Sequence, residues 1–385
     1  MSDPNLKDHS LLYTEVEDDL RATVRKLLTD RCDPVAVTAL YDGDRSVVDG
    51  LWRALAGELG LAGLLVAEEH GGAGASALEA AVVLEELGRG AAPVPFLTSA
   101  VIATLVLRDS DGALLAELAS GERTAALAVP LSTAPHAALP AVSVAVSGAD
   151  GRLTGTVTSV AGAIEADVLL VLARESGESG ESGQFGDLAV YAVPAADATV
   201  TVTPVVSLDM TRQLADVRLD GAVGTRVLAD AEPAVRDALV AGAALLASEQ
   251  VGVAQWCLET TVAYLKERKQ FGRSVGGFQA IKHRLADLAT GVESATAAAR
   301  YAAATLAAGD ADLAVASSVA QAYVSDLAVL AAEEAVQLHG GIGMTWEHPA
   351  HLYLKRAKAD QIALGTAGSH RARLAALVEL PGPQQ

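Results

Sequence analysis

ERKQFGRSVGGFQAIKHRLADLA, residues 267–289, interrupts an alanine-rich stretch that would otherwise read as one very long helix. Helical periodicity runs into it from about residue 236 and out of it from residue 279, so its glycines mark a turn between two long helices. Arg268, Arg273, Lys282, His283 and Arg284 gather at this turn in a chain with 48 acidic against 28 basic residues and a formal charge of −20. A helix boundary with a solvated basic rim explains the spacing by itself. The concentration of cations points further, because Arg268, Gln270 and Phe271 offer a fork for phosphate, an amide donor and an apolar wall for a nucleotide.

Downstream, a third alanine-rich helix over 311–339 leads into EEAVQLHGGIGMTWEHPAHLYLKRAKADQIALGT, residues 333–366. The paired Gly340 and Gly341, followed by Gly343, leave backbone N–H groups open to a pyrophosphate. A helix stop would use the same glycines, and Gln337 one turn upstream adds little by itself. His348 and His351 have a His-x-x-His spacing, but no third or fourth ligand stands nearby and Pro349 lies between them, so zinc is not indicated. There is no nucleophile elbow, and no Gly-x-Gly-x-x-Gly follows a strand, which excludes a Rossmann-type nucleotide site.

Upstream, residues 11–126 show apolar positions every three or four residues, which predicts an N-terminal helical domain (1–126). Residues 127–232 change to short β-branched runs between turns, which predicts a central antiparallel β domain. Its hairpin ESGESGESGQFGD, 175–187, has no apolar content and reads as a solvated loop. The period returns over 233–385 as long helices joined by short turns, an antiparallel bundle. The fold class is therefore α+β, in the order α, β, α. The apolar window 237–256 is about a membrane span long, yet Asp237, Glu249 and Gln250 favour a helix buried among others, so no membrane insertion is expected.

With 51% hydrophobic but only 4% aromatic residues, much of the core has to form by close backbone approach. The strong negative charge opposes nucleic-acid binding. Cys32 and Cys257 are too few for a disulfide framework, and the N-terminus lacks a secretory pattern, which predicts a cytoplasmic protein.

Taken together, the domain order and the two C-terminal motifs resemble the acyl-CoA dehydrogenase family. LWRALAGELGLAGLLVAEEHGGAGASALEAAVVLEELGRG (51–90) and GRLTGTVTSVAGAIEADVLLVLA (151–173) extend the resemblance over the chain. It implies a C-terminal four-helix bundle, FAD as cofactor, an acyl-CoA substrate desaturated between its α and β carbons, and an electron-transfer flavoprotein as acceptor. Members assemble as tetramers in which one subunit grips the adenine and pyrophosphate end of a neighbour's FAD. The residues so implied are Arg268, Gln270, Phe271, Val275, Phe278, Gln337, Gly340, Gly341 and Thr366.

The resemblance also shows what is missing. The family's base, a Glu before Gly-Thr, is Leu364 here, and a second location used by some members falls at about Gly242. The Thr-Glu…Gly-Ser-Asp loop is replaced by AVPLSTAPH (128–136), and the Trp-x-Thr pair over the flavin ring by Ser159 and Ala161. The expectation is a subunit without a catalytic base in an α2β2 acyl-CoA dehydrogenase, completed by a homologous partner carrying the Glu. ALGTAGSHRARLAAL (363–377) resembles the non-catalytic chain of bacterial enzymes that act on steroid side-chain thioesters. The alternative is a self-sufficient homotetramer with a non-standard base such as Asp360, one turn before Leu364, or Glu249 on the long helix, although Asp360 reads more simply as a surface or helix-pairing residue. A non-enzymatic scaffold on the same fold is the third reading.

Overall fold

The computed structural model describes residues 10–110, 112–147, 150–175 and 188–381. Beyond Glu175, the expected loop 175–187 lies outside the described residues. The N-terminal part comprises α1 (Glu15–Arg31), α2 (Pro34–Thr38), α3 (Ser46–Arg53), α4 (Ala77–Arg89), α5 (Thr104–Leu107) and α6 (Ala113–Ala119). α1 and α4 start at capping boxes, Thr14 with Glu17 and Ser76 with Glu79, in which each side chain satisfies a backbone N–H that the first helical turn leaves free.

The β region holds β1 (Ala125–Leu127), β2 (Val142–Ser147), β3 (Asp150–Ala161), β4 (Val168–Glu175), β5 (Leu188–Pro194), β6 (Val200–Val205) and β7 (Leu214–Leu228). β3 and β7 alternate buried and exposed residues over much of their length, the period of a strand with one dry face. β4, β5, β7, β3 and β2 pair in a closed ring, since β2 also joins β4. Gly221, at φ +70°, bulges from β7 between the Leu153–Ala222 and Thr154–Asp220 pairs, close to where that strand leaves β6 for β5. The interior is apolar, with Leu153, Val171, Tyr191 and Val217 buried. In one respect the domain is not purely antiparallel: β1–β4 and β2–β4 are parallel ladders. These pairings join segments tens of residues apart, and local alternation carries no information about direction.

The bundle is formed by α7 (Glu232–Glu267), α8 (Gln279–Ala307) and α9 (Leu313–His339), with α10 (Ala350–Asp360) and α11 (Ala367–Leu377) packed on α9. The most apolar window of α7 is 89% buried inside the fold, so packing accounts for its hydrophobicity. α4 crosses α7 with backbones in near contact. A Cβ added at Gly88 would lie 2.0 Å from the Glu249 carbonyl oxygen, and one at Gly252 only 1.9 Å from that of Glu85. Close approach therefore replaces large side chains here.

Three regions meet in a dry charged junction. Glu249 on α7 accepts hydrogen bonds from Arg212, in the loop before β7, and from Arg356 on α10. Arg356 also donates to Thr211 Oγ1 and the Ala92 carbonyl and lies 3.0 Å from Asp209. Burial raises the Glu249 carboxyl, but Arg212 and Arg356 prevail and hold it below its usual range. Asp360 is fully buried here, which corrects its reading as a surface residue. It lies 3.5 Å from Arg212 Nε with both carboxyl oxygens lacking a hydrogen bond, and burial, reinforced by Glu249, pushes it up to about 7. Three acids face two guanidinium groups, and a proton on Asp360 balances them.

Two outcomes follow from this packing. Gly252→Ala should lower unfolding stability by about 1–3 kcal/mol through overpacking, whereas Gly57→Ala, which meets nothing within 4 Å, should be near neutral; denaturant titration distinguishes them. Asp360 binds its proton more tightly folded than unfolded, so its contribution falls as pH rises from the unfolded carboxyl pKa to about 7. Asp360→Asn should therefore gain stability relative to wild type as pH rises from about 4 to about 7, and level off above that. A pH-independent difference would rule this out.

Candidate functional site

α7 stops where the Arg268 backbone turns extended, its N–H still donating to the Tyr264 carbonyl at 2.8 Å. A two-residue turn then joins β8 (Lys269–Gln270) to β9 (Arg273–Ser274). Its central residues, Phe271 at φ +53° and Gly272 at φ +76°, are both left-handed, as a tight type I′ turn demands. Glycine takes that conformation freely and phenylalanine does not, so Phe271 is strained, and its ring is 91% exposed. Arg268 and Gln270 are exposed beside it, and Val275 and Phe278 are half-buried behind. The Arg273 guanidinium stands 4.0 Å over the Phe278 ring.

The second corner follows α9. Gln337, Gly340 and Gly341 are exposed, and Gly343 closes against the Val336 carbonyl. Gly340 is at φ +65° and needs to be glycine for conformation alone. Gly341 has no positive φ, and a Cβ there would meet nothing within 4 Å. Nothing inside the fold requires its small size, whereas a close-fitting neighbour would. Two ties bring the corners into one frame: Arg284 Nη2 donates to Glu334 Oε1 at 2.6 Å, and the rings of Tyr264 and His339 stack with centroids 4.6 Å apart. Exposed guanidinium groups, an apolar ring and uncovered peptide backbone fit an adenine–pyrophosphate tail. Thr366 is placed elsewhere, capping α11 beside Leu364, with its Oγ1 accepting from Ser369 N.

On the opposite side, Leu364 is buried at φ +55°. Its N–H donates to the Leu131 carbonyl at 2.7 Å, and its own carbonyl lies 3.0 Å from His370 Nε2. Leu131 N in turn donates to the Ser159 carbonyl, so the 128–136 run, the end of β3 and the Leu364 turn converge as the resemblance implies. Leu364 lines a void of about 20 Å³ with Leu127, Val129, Leu131, Ala161 and Leu239, completed by Thr98 and Ile102, which leaves room for about one water. Gly242 faces the same wall, a Cβ there lying 2.9 Å from Ile102 Cγ1 and 3.3 Å from Leu364 Cδ1. Among the described residues, no ionisable side chain lines this void. Asp360 and Glu249, the alternative bases, are engaged in the charged junction instead.

A larger polar cavity of about 410 Å³ opens behind the Leu364 turn, lined by His136, Arg236, Ser317, Ser318, His370 and Arg373 among others. His136 is held below its ordinary pKa by burial and by the Arg373 and Arg236 charges, and Ser369 Oγ lies 3.0 Å from its Nε2. Sequence reading missed this group; SHRAR, 369–373, was its visible part. Outside the bundle, α9 exposes Val319, Tyr323 and Leu330, and Ile342, Met344 and Trp346 continue as exposed apolar residues past the second corner.

These features recur among known proteins. Residues 14–121 match the family described as acyl-CoA dehydrogenase, N-terminal domain, and residues 233–378 its C-terminal domain. Acyl-CoA dehydrogenase IpdE2 of Mycobacterium tuberculosis is 36% identical over 342 residues, covering 88% of this chain and 89% of its own. Acyl-CoA dehydrogenase FadE34 of the same organism is 37% identical over 354 residues, which cover 89% of this chain but 45% of its own length. Among solved structures, the ChsE4–ChsE5 complex from M. tuberculosis aligns with a TM-score of 0.82 at 28% identity, over 97% of this chain and 100% of that one. The Tcur3481–Tcur3483 steroid ACAD aligns at 0.80 and 29%, over 95% and 98%. Both family matches and the full-length relatives agree, and the chain belongs to the acyl-CoA dehydrogenase family.

Proposed function

We propose that this chain is the nucleotide-gripping subunit of a heteromeric FAD-dependent acyl-CoA dehydrogenase. The observation that carries the reading is a contrast within one molecule: the corner facing outward is open and cationic, while the wall where a base would stand is apolar and leaves room for about one water. Arg268, Gln270, Phe271, Val275 and Phe278, with Gln337, Gly340 and Gly341, hold the adenine and pyrophosphate end of an FAD whose ring lies in a homologous partner. The exposed apolar residues flanking Gln337 and Gly341 form part of the subunit contact.

Bound FAD supplies the acceptor for hydride from the β-carbon of the thioester. The α-proton needs a carboxylate, because a thioester α-carbon is too weakly acidic to ionise unaided, and the partner's Glu provides it. Leu364 and Gly242 leave this chain with no proton acceptor at that point, and the void beside them has no space for a ring. The substrate class is a bulky, steroid-derived acyl-CoA, by analogy with the Tcur3481–Tcur3483 steroid ACAD, and an electron-transfer flavoprotein reoxidises the flavin. One observation favours a self-sufficient enzyme: Asp360, near 7, is tuned for proton abstraction. Its burial against Arg212 and Glu249, away from the Leu364 void, opposes that role.

Purified alone, the chain should carry little flavin and desaturate nothing; coexpressed with the homologous subunit it should co-purify with FAD absorbance and turnover. A flavin-saturated, active homotetramer would overturn the proposal. In the complex, Arg268→Ala should weaken FAD retention about 10- to 100-fold, the worth of one charge-assisted contact. Leu364→Glu in the lone chain should restore no activity.

A further inference from the structure

Among the described residues, His348 and His351 belong to no group of three His, Cys, Asp or Glu side chains arranged to hold a metal ion. Their surroundings show a different use for the first of them. A column of rings runs through the bundle from Tyr264 on α7 to His339 at the end of α9 and His348 in the next loop, with centroids 4.6 Å and then 4.2 Å apart. It continues to Trp256, two turns before Tyr264 on α7, and to Tyr353 on α10, whose ring lies flat on the indole at 3.5 Å. Tyr353 Oη donates to the Arg89 carbonyl at 2.6 Å and so fastens the column to α4.

We propose that His339, clamped between Tyr264 and His348, is a positioning residue that sets the spacing of the two corners, Arg268–Phe278 and Gly340–Gly341. Both ends of the clamp act directly on a corner. The Tyr264 carbonyl receives the Arg268 N–H, the bond at which α7 stops and the first corner begins. His339 is bonded through the chain to Gly340, whose left-handed backbone begins the second. The imidazole is itself fixed: it is 3% exposed, and Nδ1 donates to the Ala335 carbonyl at 2.7 Å. Burial lowers the pKa of His339, so the ring packs as a neutral aromatic and its Nε2 has no partner. The other tie between the corners, Arg284–Glu334, leaves the arginine half exposed and open to salt screening. A buried stack is the stiffer of the two constraints.

The inference rests on reading the corners as a nucleotide grip, and its test separates the two. Hydrogen exchange on the full chain without ligand should show His339→Ala raising amide exchange in both 268–278 and 340–345, with His339→Phe, which keeps the ring, retaining most of the protection. Exchange confined to 340–345, or a Phe variant as loose as the Ala variant, overturns the positioning role. ADP titration of the same proteins should find the Ala variant about tenfold weaker, the scale of one aromatic contact. Coupled exchange without ADP binding by any of them would overturn the nucleotide reading and leave His339 as the coupling residue. ADP bound equally well by wild type and Ala variant would refute control of nucleotide affinity by His339.

Discussion

An ionised glutamate in the middle of a buried helix fixes how the rest of the molecule is arranged. Glu249 is only 2% exposed, so its charge is tolerable only while Arg212 and Arg356 both donate to it. One guanidinium comes from the β region, the other from α10, and the helix carrying Glu249 crosses α4 with no space for a side chain. α7 is therefore held on three sides at its midpoint. Everything functional is measured along that helix: Gly242 and the closed void lie two turns before Glu249, and Tyr264 and the Arg268 corner lie four turns and more after it. Moving either region relative to α7 would break the ion cluster or force the glycine crossing apart.

On the proposed reading, this rigidity lets the wall beside Leu364 differ while the outward corners stay in place. The small void beside Leu364 is lined by leucine, valine and alanine side chains of the core where the β barrel meets the bundle, so its narrowness adds apolar packing. Once a chain no longer needs space for a ring and a thioester there, larger apolar side chains are favoured by burial. The outward corners gain nothing comparable. Phe271 remains strained and exposed, and Gly341 remains glycine without an internal reason. Features that are unfavourable or unexplained within a lone chain belong to what the chain binds.

Much of this was readable beforehand, and the exceptions have physical causes. Long helices announce themselves by period, and α7, α8 and α9 fall close to the expected 236–268, 279–307 and 311–339. Leu364, Ser159 and the 128–136 run, singled out separately in the sequence, are joined by hydrogen bonds through Leu131. Parallel ladders escaped because strand direction is a property of pairs distant in sequence. Asp360 was misread because a carboxylate on an amphipathic segment looks alike whether it faces water or Arg212. His339 escaped for another reason. Tyr264 and Trp256 are eight residues apart on one face of α7, a visible signal, but their partners come from a loop and two other helices.

The formal charge of −20 and a cationic corner are compatible because screening acts over different distances. At physiological ionic strength, charges more than about 8 Å apart are largely hidden from one another by salt, so the acids spread over the surface add little to the field at the corner. A phosphate seated against Arg268 and the Gly340–Gly341 backbone meets only its immediate neighbours. Global charge therefore cannot be averaged over this site, and local geometry decides what binds. The geometry that matters is the separation between one guanidinium and one run of peptide N–H groups. A flexible tether could not hold that separation, and in this fold the His339 ring stacks on Tyr264, joining the helix ends from which the two corners start.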